Sequence, residues 1–318
     1  MPTRKRPRKG SLQFWPRKRA SKFLPRVNWN VMSDSPKNLK GFICYKAGMA
    51  SAYVKDETPD SMTKGKKIIV PVTILECPSL KIFSVRFYKN NKVAKEILSN
   101  NLDKELKRKV KIPKKQDKKP SFEEIKSEMF DDLTIVCYSQ TKKTGIKKTP
   151  DISEIGLSGS FEEKLKFVKE NWEKEVSVLD VFEKGNLVDF RGLTRGRGFS
   201  GPVRRFGITL KQSKSEKGRR RPGSLGPWHP ARVTFRVPQA GQLGMFTRII
   251  SNGSILDIGK SEDKDWLKGI KNFGDIKSYY IVVYGSVQGP SKRQLLATVP
   301  LRESKKQKKK NFELINIR

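Results

Sequence analysis

Histidine and cysteine are scarce in this chain. Its 318 residues include one histidine, His229, and three cysteines, Cys44, Cys77 and Cys137, which lie far apart in apolar surroundings. A zinc site built from several histidines is therefore excluded, and three separated thiols do not make a disulfide framework. Such cysteines are typical of small buried side chains in a reducing compartment. We predict no metal site.

Acidic residues are also few. The chain has 69 Lys and Arg against 32 Asp and Glu, which gives a formal net charge of +37. Self-repulsion of this size destabilises a compact solitary protein, so a permanent polyanionic partner is expected. Nucleic acid fits best, because released counterions supply affinity. A membrane surface is the rival, but the sequence has no apolar run of membrane-spanning length and no signal-peptide core, so we predict no membrane partner.

Catalytic and cofactor motifs fail on their context. Residues 196–201, GRGFSG, match G-x-G-x-x-G, but Pro202 and two arginines follow where a dinucleotide site needs a helix and a later acid. Gly259, Lys260 and Ser261 imitate the end of a P-loop, whose first glycine would have to replace Ser254. No cysteine or serine nucleophile accompanies His229. We predict a protein that is not an enzyme and has no cofactor.

What the sequence does contain is clearest in residues 182–205, FEKGNLVDFRGLTRGRGFSGPVRR. An apolar strand pattern changes at Arg191 into a stretch with no acid, in which five arginines are interleaved with glycines. Glycine permits close approach of backbones, and arginine offers a planar fork of donors for phosphate oxygens. The candidate RNA-binding residues here are Arg191, Arg195, Gly196, Arg197, Gly198, Gly201, Arg204 and Arg205.

Two further basic stretches carry aromatic residues. Residues 1–33 hold ten basic side chains and no acid, with Phe14, Trp15, Phe23 and Trp29 among them. This composition predicts an extended tail whose aromatics stack on RNA bases; a solvated tail or a localisation signal is the alternative. Its candidate residues are Arg4, Arg6, Arg8, Lys9, Trp15, Arg17, Lys18 and Arg19.

The other basic stretch, residues 204–241, contains GPWHP, where flanking prolines frame Trp228. This tryptophan is expected to act as a wedge among bases or as a packing anchor, whereas the plainer interpretation of the stretch is a flexible surface loop. The candidate residues are Lys211, Lys217, Arg219, Arg220, Arg221, Trp228, His229 and Arg232.

Short apolar runs predict a mainly β protein. Strand patterns fill residues 41–88 and return from 176 onward as VSVLDVF, LVDF, ARVTFRV, MFTRII, SILDIG, YYIVVYGSV and LLATVPL, which suggests a barrel. Between them, Val93, Ile97, Leu98, Leu102 and Leu106 follow a helical stripe, and LTIVCY is a strand. Ser121–Glu124 and Ser160–Glu163 fit capping boxes, the second opening a helix with Phe161, Leu165, Val168, Trp172 and Val176 as core contacts. Residues 151–190 hold ten acids against five bases, so this part need not touch RNA.

The stretch 182–205 resembles the signature of the universal large-subunit ribosomal protein L three family. All nine pattern positions match: Phe182, Asp189, Gly192, Thr194, Gly196, Arg197, Gly198, Gly201 and Arg205. The resemblance also covers YKAGM, PVTILECPSLKIFSVRFYK, GPWHPARV, AGQLGMFTR and YGSVQGPSKR, and therefore nearly the whole chain. The start of the chain and the insertion at 89–175 are similar to the archaeal type.

The resemblance implies a six-stranded Greek-key barrel of the translation-protein type with an inserted α/β unit, a long basic central loop and an extended N-terminal tail. The expected parts are a tail at 1–34, a first part of the barrel at 35–90, an inserted unit at 91–175 and a second part of the barrel at 176–318. A loop at 195–241 within the last part is expected to approach the peptidyl-transferase centre, with Trp228 at its tip.

The resemblance also implies a function. The chain would be a cytoplasmic structural constituent of the large ribosomal subunit that binds its rRNA directly near the 3′ end, nucleates assembly and supports the peptidyl-transferase centre. Protein neighbours of the L fourteen and L twenty-four e families are implied, and a homo-oligomer is not. Gln242 lies where bacterial relatives carry a methylated glutamine. An assembly factor or an RNA chaperone with the same barrel is the alternative.

Overall fold

The computed structural model describes residues 7–112, 122, 129–262 and 264–318. Contacts divide the chain into two compact units. We call Met1–Lys22 together with Leu193–Thr247 the basic unit, and Phe23–Gly192 together with Arg248–Arg318 the sheet unit.

The described residues form a mainly β protein. The strands are β1 (Gly41–Asp56), β2 (Lys67–Cys77), β3 (Leu80–Lys89), β4 (Lys92–Leu98), β5 (Asp132–Ser139), β6 (Ile152–Gly156), β7 (Leu187–Leu193), β8 (Phe199–Ser200), β9 (Gly241–Gln242), β10 (Thr247–Lys260), β11 (Tyr279–Tyr284), β12 (Gln294–Thr298) and β13 (Phe312–Ile317). The helices are α1 (Thr141–Thr144), α2 (Phe161–Asn171), α3 (Pro202–Phe206) and α4 (Lys305–Lys308), and short 3-10 helices cover Trp29–Val31, Lys104–Arg108, Val178–Asp180 and Asp265–Leu267.

The large sheet has seven strands in the order β12-β7-β10-β11-β2-β1-β13. Strand β12 also pairs with β1 in antiparallel register, with Phe42 opposite Ala297. The first seven residues of β1, residues 41–47, are all buried, and Phe42, Ile43, Cys44 and Tyr45 belong to the core of the sheet unit. The expected strands LVDF, YYIVVYGSV and LLATVPL correspond to β7, β11 and β12.

A second sheet of four strands, in the order β4-β3-β5-β6, lies in the sheet unit. The stretch that contains Val93 and Ile97 was expected to be helical, and this expectation is wrong: it forms β4, which pairs with β3. Asn90 and Asn91 adopt positive φ angles of 51° and 60°, the conformation of a tight hairpin turn. A spacing of four residues fits one face of a strand as well as one face of a helix, so periodicity alone could not decide.

The LTIVCY strand is confirmed as the centre of β5, and the helix that opens at Ser160 is confirmed as α2. The Ser160 side chain accepts a hydrogen bond from the backbone N–H of Glu163 at 3.4 Å, and the Glu163 carboxylate accepts one from the N–H of Ser160 at 2.9 Å. Val168 of α2 is fully buried in the core. The other expected capping box, at Ser121–Glu124, lies outside the described residues.

Two other expected strands do not form. Residues 176–182 contain the 3-10 helix Val178–Asp180, and residues 231–237 lie in turns and loop. In the second case Val233 and Phe235 are half exposed, so the alternating pattern has no partner strand against which to bury a face. By contrast, MFTRII and SILDIG belong largely to one strand, β10, which continues through Asn252.

One of the four tail aromatics that were expected to stack on RNA bases is instead buried in the protein core. Trp29, expected to stack on bases with the other tail aromatics, is 8% exposed and sits in the core of the sheet unit. A Cβ placed on Gly156 would lie 2.6 Å from the Cβ of Trp29, so this glycine makes room for the indole. The three cysteines are free and buried, as expected. None of the helices in the described ranges is long and apolar enough to cross a membrane.

Candidate nucleic-acid interface

Positive charge is concentrated in the basic unit. The unit contains 21 Lys and Arg and a single acid, Glu216, whereas the sheet unit contains 48 Lys and Arg against 31 Asp and Glu. One carboxylate cannot neutralise 21 cations, so the charge of the basic unit must be balanced from outside the unit.

The glycine- and arginine-rich segment after β7 forms a narrow antiparallel ribbon with a segment that lies about 45 residues later in the chain. The N–H of Arg197 donates to the carbonyl of Leu243 at 2.9 Å, and the N–H of Leu243 donates to the carbonyl of Gly198 at the same distance. Strands β8 and β9 continue this pairing, with Phe199 opposite Gln242. Residues 194–200 are therefore held in register with residues 241–246. The long loop of residues 207–240, which we call the excursion, lies between these two segments.

Glycines allow this close approach. Gly244 has a φ of +77°, and a Cβ there would overlap the carbonyl oxygen of Arg195. Gly244 lies in the AGQLGMFTR part of the family resemblance but is not among the sequence-predicted site residues. Gly198 also has a positive φ, of +60°. At the end of the segment Gly201 is the N-cap of α3 and Gly207 is its C-cap.

The excursion between α3 and β9 is long and free of regular structure. Residues 207–240 contain no helix or strand, and most of their side chains are exposed. Trp228 is 86% exposed, which places it on the surface of the loop with no core around it. A loop so polar and basic cannot bury its own backbone, and this is the physical reason for its open form.

Most of the sequence-predicted residues are exposed in the basic unit. They are Lys9, Lys18, Arg19, Arg195, Gly196, Arg197, Gly198, Gly201, Arg204, Lys211, Lys217, Arg219, Arg220, Arg221, Trp228, His229 and Arg232. Arg4 and Arg6 lie outside the described residues. Arg8 is half-buried, and its Nε and Nη2 have no hydrogen-bond partner in the described part of the chain. Trp15 packs against Phe235, with ring centroids 5.4 Å apart.

Three predicted arginines make internal contacts. In the sheet unit, Arg191 is half-buried and its Nε donates to the hydroxyl of Thr298 at 3.2 Å. Burial lowers the pKa of Arg191. In the basic unit, Arg17 and Arg205 both donate to backbone carbonyl oxygens and both lie near the ring of Phe206. Phe206 is 5% exposed and was missed by the sequence analysis, although it directly follows the signature.

The segment GRGFSG, which matches G-x-G-x-x-G, is followed directly by a short helix. GRGFSG leads into α3, which has only five residues and begins at Pro202. No group of three or more His, Cys, Asp or Glu in the described part of the chain could hold a metal ion.

The chain matches the protein family described as "Ribosomal protein L3" over residues 1–318. The chain belongs to this L3 family. It is 40% identical over 303 residues to the "Large ribosomal subunit protein uL3" of Methanocaldococcus jannaschii, which covers 92% of this chain and 90% of the relative. The protein of the same name in Archaeoglobus fulgidus is 39% identical over 98% of this chain and 96% of the relative. The one in Methanobrevibacter smithii is 38% identical over 94% and 93%.

Membership of the L3 family confirms the resemblance seen in residues 182–205, and the relatives are archaeal, as the insertion predicted. In this chain the L3 signature spans three structural pieces. It runs along β7, through the glycine- and arginine-rich segment, and into α3. It therefore contains the point at which the chain leaves the sheet unit at Gly192 and enters the basic unit at Leu193.

Proposed function

We propose that this chain is a structural constituent of the large ribosomal subunit that binds the subunit's rRNA through the basic unit. The main observation behind the proposal is the charge of the basic unit, which has 21 Lys and Arg against one acid. Most of these arginines and lysines are exposed. The chain is not an enzyme, as expected for its family. Its place in the cytoplasm follows from its place in the ribosome.

The finer assignment is that the chain binds directly near the 3′ end of the rRNA, nucleates assembly and supports the peptidyl-transferase centre. The loop within residues 195–241 is the part that reaches that centre, with Trp228 at its tip. The exposed indole, the basic side chains around it and the lack of regular structure in 207–240 support this assignment. Proteins of the L fourteen and L twenty-four e families are the proposed neighbours, and no second copy of the chain is involved.

For the fold, the proposal is a six-stranded Greek-key barrel. The pairing of β12 with both β7 and β1 supports closure, because it joins the two sides of the sheet through β12, β7, β10, β11, β2 and β1. The proposed division keeps a tail at 1–34, barrel parts at 35–90 and 176–318 and an inserted unit at 91–175. Strand β3, within 35–90, is hydrogen-bonded to β4 and β5, so the inserted sheet also uses this strand.

Gln242 is proposed as a modification site. Its side-chain Nε2 donates to the carbonyls of Leu243 at 3.2 Å and Gly244 at 3.1 Å. A single methyl group on this nitrogen would leave one N–H to donate. Mass spectrometry of the tryptic peptide from purified ribosomes decides whether the residue carries the methyl group.

Charge removal at matched positions tests the proposed function. The triple variant Arg219→Gln, Arg220→Gln, Arg221→Gln should weaken binding to in vitro transcribed large-subunit rRNA. Each lost phosphate contact should reduce the slope of log affinity against log salt by roughly 0.7 to 0.9.

The control removes the same charge from α2 and the residues after it, by Lys166→Gln, Lys169→Gln and Lys174→Gln, all exposed in the sheet unit. It should leave affinity and slope close to those of the wild type. Equal losses in the two triple variants would show that binding follows net charge alone, against a dedicated interface.

Trp228→Ala tests the role of the loop tip. Because the side chain is 86% exposed, the melting temperature of the free protein should not change. Ribosomes that contain the variant should show altered sensitivity to drugs of the peptidyl-transferase centre. Unfolding of the variant, or ribosomes that respond as the wild type does, would contradict the assignment.

A further inference from the structure

Arg205 holds the two ends of the long loop together. Its Nε donates to the carbonyl of Gln242 at 3.0 Å, and its Nη1 donates to the carbonyls of Gln239 at 3.0 Å and Ala240 at 3.5 Å. Arg205 stands at the start of the excursion, and these three carbonyls stand at its end. A Cβ on Gly241 would lie 2.9 Å from the guanidinium carbon, so the backbone passes directly against this side chain.

Arg17 ties the tail to the same place. Its Nη1 donates to the carbonyl of Arg205 at 2.6 Å, and its Nη2 donates to the carbonyl of Ser11 at 3.2 Å. The N–H of Ala20 donates to the carbonyl of Met245 at 2.9 Å. The tail therefore binds both the start and the end of the excursion through its own backbone and one arginine.

Phe206 is the centre of this arrangement. The guanidinium carbon of Arg17 lies 4.2 Å from the ring centroid, and that of Arg205 lies 5.2 Å from it. On the tail side, a Cβ on Gly10 would come within 2.5 Å of Cδ1 of the ring. Two cations against one buried ring are stabilised by the ring's negative face and by packing of the flat guanidinium groups.

We infer that Arg17 and Arg205 are positioning residues, which hold the tail and both ends of the loop in the form that meets RNA and do not themselves contact phosphate. This inference rests on the proposed function. The donors described above are committed to carbonyl oxygens, whereas Arg195, Arg197 and Arg204 are exposed on the same segment. The signature thus mixes two kinds of arginine that sequence alone cannot separate.

The inference predicts that lysine is a poor substitute at the two positions. Lysine keeps the charge, but its single ammonium cannot bridge separate carbonyls in one plane or lie flat on the ring. At an exposed phosphate contact lysine keeps the charge that supplies most of the binding and loses only the fork geometry, so it should serve better there than at these two positions. Arg197 is the matched control, because it is exposed and lies in the same signature stretch as Arg205.

The experiment compares Arg205→Lys, Arg17→Lys and Arg197→Lys, with Arg205→Ala and Arg197→Ala, in binding to in vitro transcribed large-subunit rRNA over a salt series. Arg197→Lys should bind nearly as the wild type does, and Arg197→Ala should have a slope lower by roughly 0.7 to 0.9. Arg205→Lys and Arg17→Lys should lose affinity about tenfold with an unchanged slope. Rescue by Arg205→Lys, or a slope lowered by Arg205→Ala as much as by Arg197→Ala, would overturn the inference.

Hydrogen exchange in the free, full-length protein provides a second readout that needs no RNA. The amides of Arg197 and Leu243 form the hydrogen bonds between the two segments that flank the excursion. They should exchange about tenfold faster in Arg205→Lys and at wild-type rates in Arg197→Lys. Unchanged exchange in Arg205→Lys overturns the inference. A wild-type protein that fails to bind the rRNA overturns the proposed function, while the exchange comparison still decides whether the arginines hold the loop.

Discussion

Glu76, on β2, is a carboxylate that the sheet unit buries completely. One oxygen accepts hydrogen bonds from the backbone N–H groups of Lys277 at 2.9 Å and Ser278 at 3.2 Å and from the hydroxyl of Ser278 at 3.1 Å. The other oxygen, Oε2, is buried with no hydrogen-bond partner in the described ranges. Burial raises the pKa of Glu76, and these hydrogen bonds oppose the rise only in part.

The raised pKa of Glu76 determines the direction in which folding stability changes with pH. The folded state binds the proton more tightly than the unfolded state, so Glu76 favours folding at acid pH and loses this contribution as pH rises through its folded pKa. Glu76→Gln should therefore raise the melting temperature at about pH 8, and the gain should shrink towards about pH 4. Thermal unfolding over this range, with the exposed Glu173→Gln as control, measures the effect. A gain that is constant with pH would contradict the assignment.

At the scale of elements, α2 shows how a local signal stabilises a helix. The helix has 11 residues and a complete capping box at its start, formed by Ser160 and Glu163. Ser160→Ala removes the side-chain acceptor for one N–H of the first turn and should cost about 1 kcal/mol of folding free energy. Denaturant unfolding measures the loss, and Ser213→Ala in the exposed loop should be neutral. Equal midpoints for the two variants would show that the box contributes nothing.

Elements were predictable from the sequence where a local signal agreed with burial. The capping box located α2, and the apolar runs located β5, β7, β11 and β12. The prediction failed for β4, because apolar residues four apart suit both a helix and a strand, and the Asn90–Asn91 turn decided between them. It failed for residues 231–237, because a strand needs a partner and a partner is a property of the whole fold.

At the scale of the molecule, charge could be located from the sequence but the roles of single arginines could not. The excess of cations in the tail and loop is a matter of composition, and the structure gathers the first 22 residues of the tail and the loop into one unit. Whether an arginine is exposed, as Arg197 is, or bound to carbonyls, as Arg205 is, depends on backbone brought close from residues 239–242. Trp29 shows the same limit, since only the folded core distinguishes it from the exposed Phe14.

Sedimentation of cell lysate shows whether the chain is an integral rRNA-bound constituent of the large subunit. The measurement follows this chain through a gradient in high salt, with and without nuclease. An integral constituent should be present at about one copy per large subunit, retained at salt that strips loosely bound factors and released by nuclease. A chain that washes off in salt, or that is present far below one copy per subunit, would instead be an assembly factor or an RNA chaperone.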